Sequence, residues 1–323
     1  MDVIRAMSII AVICIHVSAT VLGYKPYSST YNFTYALNQI SRFSVPAFIF
    51  ISGMGLTISY NKKQGYLYFL MKRLKKIIPQ YFIWCLIYIF VITKNFNIRQ
   101  DINYIIYGKV FYHFYFIPLI VEFYVIFPFI YKFIGNKLWL LISCIISVLV
   151  IVYTYYYGNI TTNMWFWDKK NLLYWLFYFS LGGYIGKNRE IFFQKLQKYK
   201  YLIFIMFICS IFYLLDAIIL GNQYSRNLEH IVTFQRPSVI VYSVLIILCI
   251  LSINWKNGLF MCIVRYISDG SYTVYLCHAG ILYFCTKYYI DNSYAIGSAH
   301  FELKAILITF FGAIIINRIK KFL

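Results

Sequence analysis

Residues 3–22, VIRAMSIIAVICIHVSATVL, form a mostly apolar stretch in which Arg5 and His16 are the two basic side chains. A helix that crosses a membrane needs about 20 such residues. This stretch has that length, so it predicts a transmembrane helix. The same kind of run recurs along the rest of the chain, and the fold class follows from that recurrence.

The composition supports a membrane protein. Of 323 residues, 62% are hydrophobic, 22% are aromatic and 12% are charged. Soluble domains average about 45–50% apolar and about 25% charged residues, so a soluble enzyme with a polar surface is excluded. The aromatic content excludes a disordered chain, and continuous apolar runs argue against a transmembrane barrel, whose strands alternate.

Ten apolar runs are long enough to be candidate spans, and the connections between them are short. They lie at 3–22, 43–60, 77–93, 114–134, 138–157, 172–187, 201–220, 237–253, 272–290 and 303–319. The sequence therefore predicts an all-α, polytopic membrane protein with about ten transmembrane helices. We expect one transmembrane domain over 1–323 with no appended soluble domain.

The net charge of +20 could indicate a nucleic-acid partner, but topology accounts for it. An even number of spans puts both termini on one side of the membrane. If that side is the cytoplasm, most Lys and Arg residues outside the spans lie there, as the positive-inside rule requires. We therefore predict a multi-pass plasma-membrane protein with cytoplasmic termini, surrounded by the lipid bilayer, and no nucleic-acid partner.

Arg5 and His16 are eleven residues apart, which places them on one face of a helix and about 16 Å apart along its axis. Asp2 is three residues before Arg5, within helical pairing distance. One interpretation is functional: the arginine binds a phosphate and the histidine acts as a base or acid. The alternative is structural, with Arg5 reaching the lipid headgroups and His16 hydrogen-bonded in the packing.

Other polar groups within or beside the runs also allow two interpretations. Glu122 lies between two prolines and His278 lies in the ninth run, and each is either catalytic or a structural hydrogen-bonding residue. Ser52 and Gly53 fit close helix packing, and the cations at 72–76 fit a headgroup anchor or a phosphate-binding patch. The histidines are scattered, so no metal site is predicted.

Seven segments in chain order resemble motifs of the acyltransferase-3 family of integral membrane proteins. They are Met1–Ala6, Arg5 with His16, Phe48–Met54, Arg73–Tyr81, His113–Pro128, Phe179–Gly186 and Tyr272–His278. Two positions depart from the family pattern. Tyr115 occupies a place where tryptophan is usual, and Ile120 occupies a place where many members carry glutamate, which weakens the transfer of a catalytic role to Glu122.

The resemblance implies an enzyme that moves an acyl group, acetyl or succinyl, from cytoplasmic acyl-CoA to a hydroxyl of an extracellular or cell-envelope glycan. Its expected partners are acyl-CoA as donor substrate, the glycan acceptor and a glycan synthase complex, with no permanently bound cofactor. The candidate catalytic residues are Arg5, His16, Glu122 and His278. The candidate substrate-binding residues are Asp2, Ser52, Gly53, Arg73, Lys76 and Tyr124.

Two alternatives remain from the sequence. A bundle rich in aromatic residues and poor in charge also suits a polysaccharide exporter without catalytic activity, and a non-catalytic partner of a synthase is a third option. Aromatic-rich outer segments at 23–42, 94–113, 158–171 and 221–236 suit sugar stacking in either case.

Overall fold

A computed structural model describes residues 1–24, 31–61, 63, 65–94, 96–157, 171–224, 234 and 236–320. These residues form helices joined by turns, and they contain no β-strand. The prediction of an all-α fold is confirmed.

The helices follow one another with short connections. They are α1 Asp2–Tyr24, α2 Tyr31–Ile40, α3 Ser44–Ser59, α4 Tyr66–Tyr88, α5 Ile98–Ile106, α6 Phe116–Ile130, α7 Lys137–Tyr157, α8 Leu172–Lys187, α9 Arg189–Lys198, α10 Lys200–Tyr224, α11 Pro237–Ser252, α12 Leu259–Asp291 and α13 Ala299–Lys320. A 3₁₀ turn at Ser41–Phe43 joins α2 to α3, and a π-helical segment at Ile89–Thr93 extends α4.

Local sequence sets several of these helix ends. Asn97 precedes α5, and its side chain accepts a hydrogen bond from the backbone N–H of Gln100. Asn171 caps α8 in the same way through the N–H of Leu173. Pro237 occupies the first position of α11, where a missing N–H costs nothing.

Each of the ten predicted apolar runs overlaps a helix, and the run 114–134 extends into turns at both ends of α6. Within the described ranges, five helical stretches are long and apolar enough to cross a membrane: Asp2–Tyr24, Tyr31–Ser59, Tyr66–Thr93, Lys137–Thr154 and Ala299–Ile319. The pair α9 and α10, bent by 75°, adds a sixth if it crosses as one span. The count of ten spans and the cytoplasmic side of both termini stay predictions.

Two helices begin well before the predicted spans. α4 starts at Tyr66 rather than near residue 77, and α12 starts at Leu259 rather than near residue 272. Charged residues lower the hydropathy of these added turns, but lysine and arginine are good helix formers, so the helix continues. The cations at 72–76, expected in a loop, therefore lie on α4.

The chain divides into two compact units, Met1–Phe48 with Glu190–Leu323 and Ile49–Arg189. In the first unit, α1 packs against α2, α12 and α13, and α10 packs against α11. In the second unit, α7 packs against α8, and α6 contacts both α4 and α8. A single transmembrane domain over 1–323 stays a prediction, since compact units need not fold independently.

Candidate active site

The face of α1 that carries Arg5 and His16 contacts α12 at two heights. Near the start of α1, Arg5 Nη1 donates a hydrogen bond to Ser268 Oγ at 3.0 Å. Further along, the ring centroids of His16 and His278 are 5.2 Å apart. Because the residue numbers rise together on both helices, α1 and α12 run in the same direction. The two contacts lie about 16 Å apart along α1, as the spacing predicts.

Asp2 and Ser268 hold the Arg5 guanidinium in a triangle of hydrogen bonds. Asp2 Oδ1 accepts from Arg5 Nη1 at 3.4 Å and from Ser268 Oγ at 3.1 Å. The Arg5 and Asp2 side chains are 31% and 41% exposed, so this pair adds little stability and mainly sets orientation. Arg5 Nε and Nη2 make no hydrogen bond to any described residue, which leaves these donors for an anion.

The deeper contact pairs two histidines, of which His278 is fully buried and His16 is half-buried. His278 Nδ1 lies 2.7 Å from the carbonyl oxygen of Tyr275 and 3.2 Å from that of Val274. A carbonyl oxygen only accepts, so Nδ1 carries the hydrogen of a neutral imidazole and Nε2 carries the lone pair. The arrangement therefore gives His278 one defined tautomer beside His16.

Asn38 on α2 holds α1 next to His16. Its Nδ2 donates to the carbonyl oxygen of Ile15 at 3.2 Å and to Ser18 Oγ at 3.0 Å. Arg42 Nη2 donates to Asn38 Oδ1 at 2.7 Å, and Asn38 and Arg42 are buried. Neither residue stood out in the sequence, because the segment 23–42 was expected to be an outer loop.

Ser52 and Gly53 lie on α3, beside α8. A Cβ on Gly53 would overlap the carbonyl oxygen of Phe179, so glycine there permits close helix packing. The hydroxyl of Ser52 is buried and makes no hydrogen bond to a described residue. Thr57, on the same helix, instead donates to the carbonyl oxygen of Gly53 at 2.8 Å. The Ser52 hydroxyl group is therefore a hydrogen-bond donor that is not bonded to a carbonyl oxygen of α3.

Arg73 and Lys76 lie one turn apart on α4. The Arg73 guanidinium donates to the hydroxyl of Ser59 and lies over the ring of Phe69, 5.8 Å from its centroid. The Lys76 side chain is exposed. A fixed arginine beside an exposed lysine can bind phosphate groups, whether these belong to a nucleotide or to a lipid headgroup.

Glu122 is half-buried on α6 and borders a cavity of about 480 Å³. The other lining residues are Val121, Val125, Ile126, Asn171, Leu172 and Leu173. Glu122 makes no hydrogen bond to a described residue. Tyr124, two residues later, points to a different side of α6, because two residues turn a helix by about 200°.

The predicted site residues fall into two groups. Asp2, Arg5, His16 and His278 come together on α1 and α12 in the first unit. Those in the second unit are Ser52, Gly53, Arg73, Lys76, Glu122 and Tyr124. Within the described ranges, no three His, Cys, Asp or Glu side chains are grouped to hold a metal ion. Residues 25–30, 95, 158–170, 225–233 and 235 of the predicted sugar-stacking segments lie outside the described residues.

Comparison with known proteins identifies the family to which these elements belong. The sequence model of the acyltransferase-3 family, described as an acyltransferase domain, matches residues 1–318. The chain is 28% identical over 277 residues to a Staphylococcus aureus protein named "Probable poly-beta-1,6-N-acetyl-D-glucosamine export protein", which covers 80% of this chain and 75% of that relative. A Staphylococcus epidermidis protein of the same name is 27% identical over 276 residues, covering 80% of this chain and 74% of the relative.

No solved structure matches the chain. The family match runs through α1 and α12, so it includes the arginine and both histidines described above. With its apolar helices, the chain belongs to the acyltransferase-3 family of membrane proteins.

Proposed function

We propose that this protein is a multi-pass plasma-membrane O-acyltransferase. It moves an acetyl or succinyl group from cytoplasmic acyl-CoA to a hydroxyl group of a cell-envelope glycan. The observation that carries the proposal is the pairing of α1 with α12, which sets Arg5 beside Ser268 at one end of the shared face and two histidines about 16 Å further along.

Arg5 binds the phosphates of the donor. Its Nη1 is held by Asp2 and Ser268, and Nε and Nη2 point away from those bonds. A guanidinium in this state offers paired donors to a phosphate. The start of α1 adds the positive end of a helix dipole, which also favours an anion. The narrow pantetheine arm of acyl-CoA then runs along the shared face of α1 and α12 and brings the thioester towards His16.

His16 acts as the general base. It takes the proton of the glycan hydroxyl as the oxygen attacks the thioester carbon. The carbon–sulfur bond breaks, and the departing CoA thiolate receives the proton that His16 has taken. The ester and free CoA are the products, and His16 returns to its neutral state. A relay in which His16 carries the acyl group itself is a second route through the same geometry.

The remaining candidates have assisting roles. His278, whose Nδ1–H is bonded to carbonyl oxygens of its own helix, orients groups around the thioester beside His16. In the second unit, the Ser52 hydroxyl is a further hydrogen-bond donor. Arg73 and Lys76 add phosphate-binding groups on the predicted cytoplasmic side. Gly53 permits the close approach of α3 and α8. Glu122 lines an apolar cavity, and Tyr124 lies on the same helix.

The names of the staphylococcal relatives refer to poly-β-1,6-N-acetylglucosamine. A polymer of this class, with its many hydroxyl groups, is therefore the acceptor we propose. A synthase that makes such a polymer is the expected protein partner.

A polysaccharide exporter is the second candidate function. The word "export" in the names of the relatives favours it. An exporter requires a path for a polymer, but it does not require an arginine and a histidine pair on one face of paired helices. The two functions therefore differ in whether acyl-CoA is consumed.

Substitution of His16 tests the proposal. We expect the His16→Ala variant, at the same membrane level as the wild type, to lose at least about a hundred-fold in transfer from labelled acyl-CoA, because general base catalysis is removed. Thr20→Val is the matched control. It lies one turn further along α1, and among the described residues its hydroxyl bonds only to the carbonyl oxygen of His16, at 2.9 Å.

The control variant should retain wild-type transfer. Retained activity in His16→Ala would remove His16 from the mechanism. If the wild-type protein never consumes acyl-CoA, yet its deletion stops the polymer from appearing outside the cell, the exporter function is correct.

A further inference from the structure

Glu302, in the first turn of α13, is a buried carboxylate that the proposed mechanism does not use. Its side chain is 2% exposed. Oε2 accepts a hydrogen bond from Thr34 Oγ1 on α2 at 2.7 Å. Oε1 is also buried and accepts no hydrogen bond from the described residues. A buried acceptor without a donor destabilises a protein, so Oε1 is suited to accept a hydrogen bond from a bound group.

No cation of the described residues neutralises this carboxylate. None of their lysine, arginine or histidine nitrogens lies within 4.0 Å of it. The first turn of α13 places the positive end of a helix dipole beside this carboxylate. Ser298 caps the same helix through the backbone N–H of Phe301 at 3.2 Å. Oε1 is thus set up as a hydrogen-bond acceptor.

The helix that faces Glu302 is polar on its buried side. Thr34, Tyr35, Asn38 and Gln39 of α2 are all buried. Arg236 Nη1 donates to the hydroxyl of Tyr35 at 3.1 Å and to Gln39 Oε1 at 2.9 Å. These bonds, with those of Asn38 to α1, anchor α2 without Glu302. The Thr34–Glu302 bond is therefore not the sole attachment of this helix.

Glu302 is buried close to the surface of the fold. Ala299 and His300, which begin α13, are exposed. Glu302 is two residues from His300, or about 3 Å along the axis. In the predicted topology, with a cytoplasmic C-terminus, this end of α13 faces outside. That is the side from which a glycan reaches the protein.

We propose that Glu302 is an acceptor-binding residue, whose Oε1 accepts a hydrogen bond from a hydroxyl or amide N–H group of the glycan. The proposal rests on the proposed function for the identity of the reaction. Thr34 holds one carboxylate oxygen, so the other stays directed at the sugar. A sugar rich in O–H and N–H donors is the ligand class that this acceptor recognises.

The test uses the Glu302→Gln variant of the full chain in lipid nanodiscs. Glutamine keeps an oxygen for Thr34 but replaces the second oxygen with an NH₂ donor. The control is Thr309→Val, which changes a fully buried side chain seven residues later on the same helix. A short β-1,6-linked N-acetylglucosamine oligosaccharide is the probe, both for direct binding and as acceptor in the transfer assay.

We expect Glu302→Gln to raise the Kd and the acceptor KM for the oligosaccharide about ten-fold or more, since one hydrogen bond to a charged group is lost. The KM for acyl-CoA, the acceptor-independent hydrolysis of acyl-CoA and the melting temperature should stay at wild-type values. Thr309→Val should leave all of these unchanged.

Two results would overturn the acceptor role. One is unchanged oligosaccharide binding and KM in Glu302→Gln. The other is a lower melting temperature together with equal losses for donor and acceptor, which identifies a purely structural carboxylate. If the proposed acyltransferase function is wrong, the wild-type protein consumes no acyl-CoA. The oligosaccharide-binding measurement then still decides whether Glu302 binds the acceptor.

Discussion

In the proposed mechanism, Arg5 binds its anion from a position that two neighbouring side chains determine. Asp2 is on the same helix and could be paired with Arg5 from the sequence, whereas Ser268 comes from a distant part of the chain. Ser268 both accepts from Arg5 and donates to Asp2, so it connects the two charges. Its loss should disturb the orientation of the guanidinium without removing the charge.

For Ser268→Ala we expect a several-fold rise in the KM for acyl-CoA with little change in kcat, because orientation for binding is lost and the base is intact. Steady-state kinetics with purified protein measure both constants. Ser252→Ala is the control, since within the described part of the chain that hydroxyl bonds only to the carbonyl oxygen of Cys249 on its own helix. An unchanged KM would show that Ser268 does not orient Arg5.

Arg5→Lys retains the positive charge but lacks the planar fork that binds phosphate through two donors. We expect the KM for acyl-CoA to rise about ten-fold or more. Arg265→Lys is the matched control, because Arg265 is exposed on α12 and bonds to Asn257 near the same end. Equal KM values for the two variants would contradict a phosphate-binding role for Arg5.

At the scale of elements, the contact between α3 and α8 depends on glycine. A Cβ on Gly53 would overlap the carbonyl oxygen of Phe179, and a Cβ on Gly182 would overlap that of Phe50. The backbones therefore approach each other more closely than any side chain allows. Gly55, on the same helix as Gly53, has open space where its Cβ would lie.

We expect Gly53→Ala to lower the free energy of unfolding by about 1–3 kcal/mol, the usual cost of overpacking. Gly55→Ala should leave stability unchanged or raise it slightly, because alanine favours the helix. Thermal unfolding in detergent compares the two variants. Equal melting temperatures would mean that the helices separate at no cost.

The positions of the helices were predictable along most of the chain, because an apolar segment long enough to cross a membrane usually forms a helix. The starts of α4 and α12 were not, since charged turns such as 72–76 extend a helix beyond its apolar part. The site was predictable where it follows helical spacing, as for Arg5 and His16. The sequence did not single out Ser268, Asn38 and Glu302. Their hydrogen-bond partners lie on other helices, and residue spacing within one helix does not predict contacts between helices.

At the scale of the whole molecule, the predicted topology places the connection from α3 to α4 in the cytoplasm and the connection from α12 to α13 outside. The predicted topology can be tested by adding one cysteine at a time, after the exposed Cys209 and Cys262 are replaced by serine. Applied to intact cells, a membrane-impermeant maleimide should label the Ala295→Cys variant but label Lys63→Cys only after the cells are broken. The reverse pattern would invert the topology.

In the proposed function, the parallel course of α1 and α12 gives the reaction a direction. Two antiparallel helices would present similar ends to both sides of the membrane, whereas this pair has its arginine at one end and its histidines further along. A thioester that enters from the arginine end and a hydroxyl that enters from the opposite end need never share an aqueous compartment. The chemistry is then vectorial, and water on either side has little opportunity to hydrolyse the donor before the acyl group is transferred.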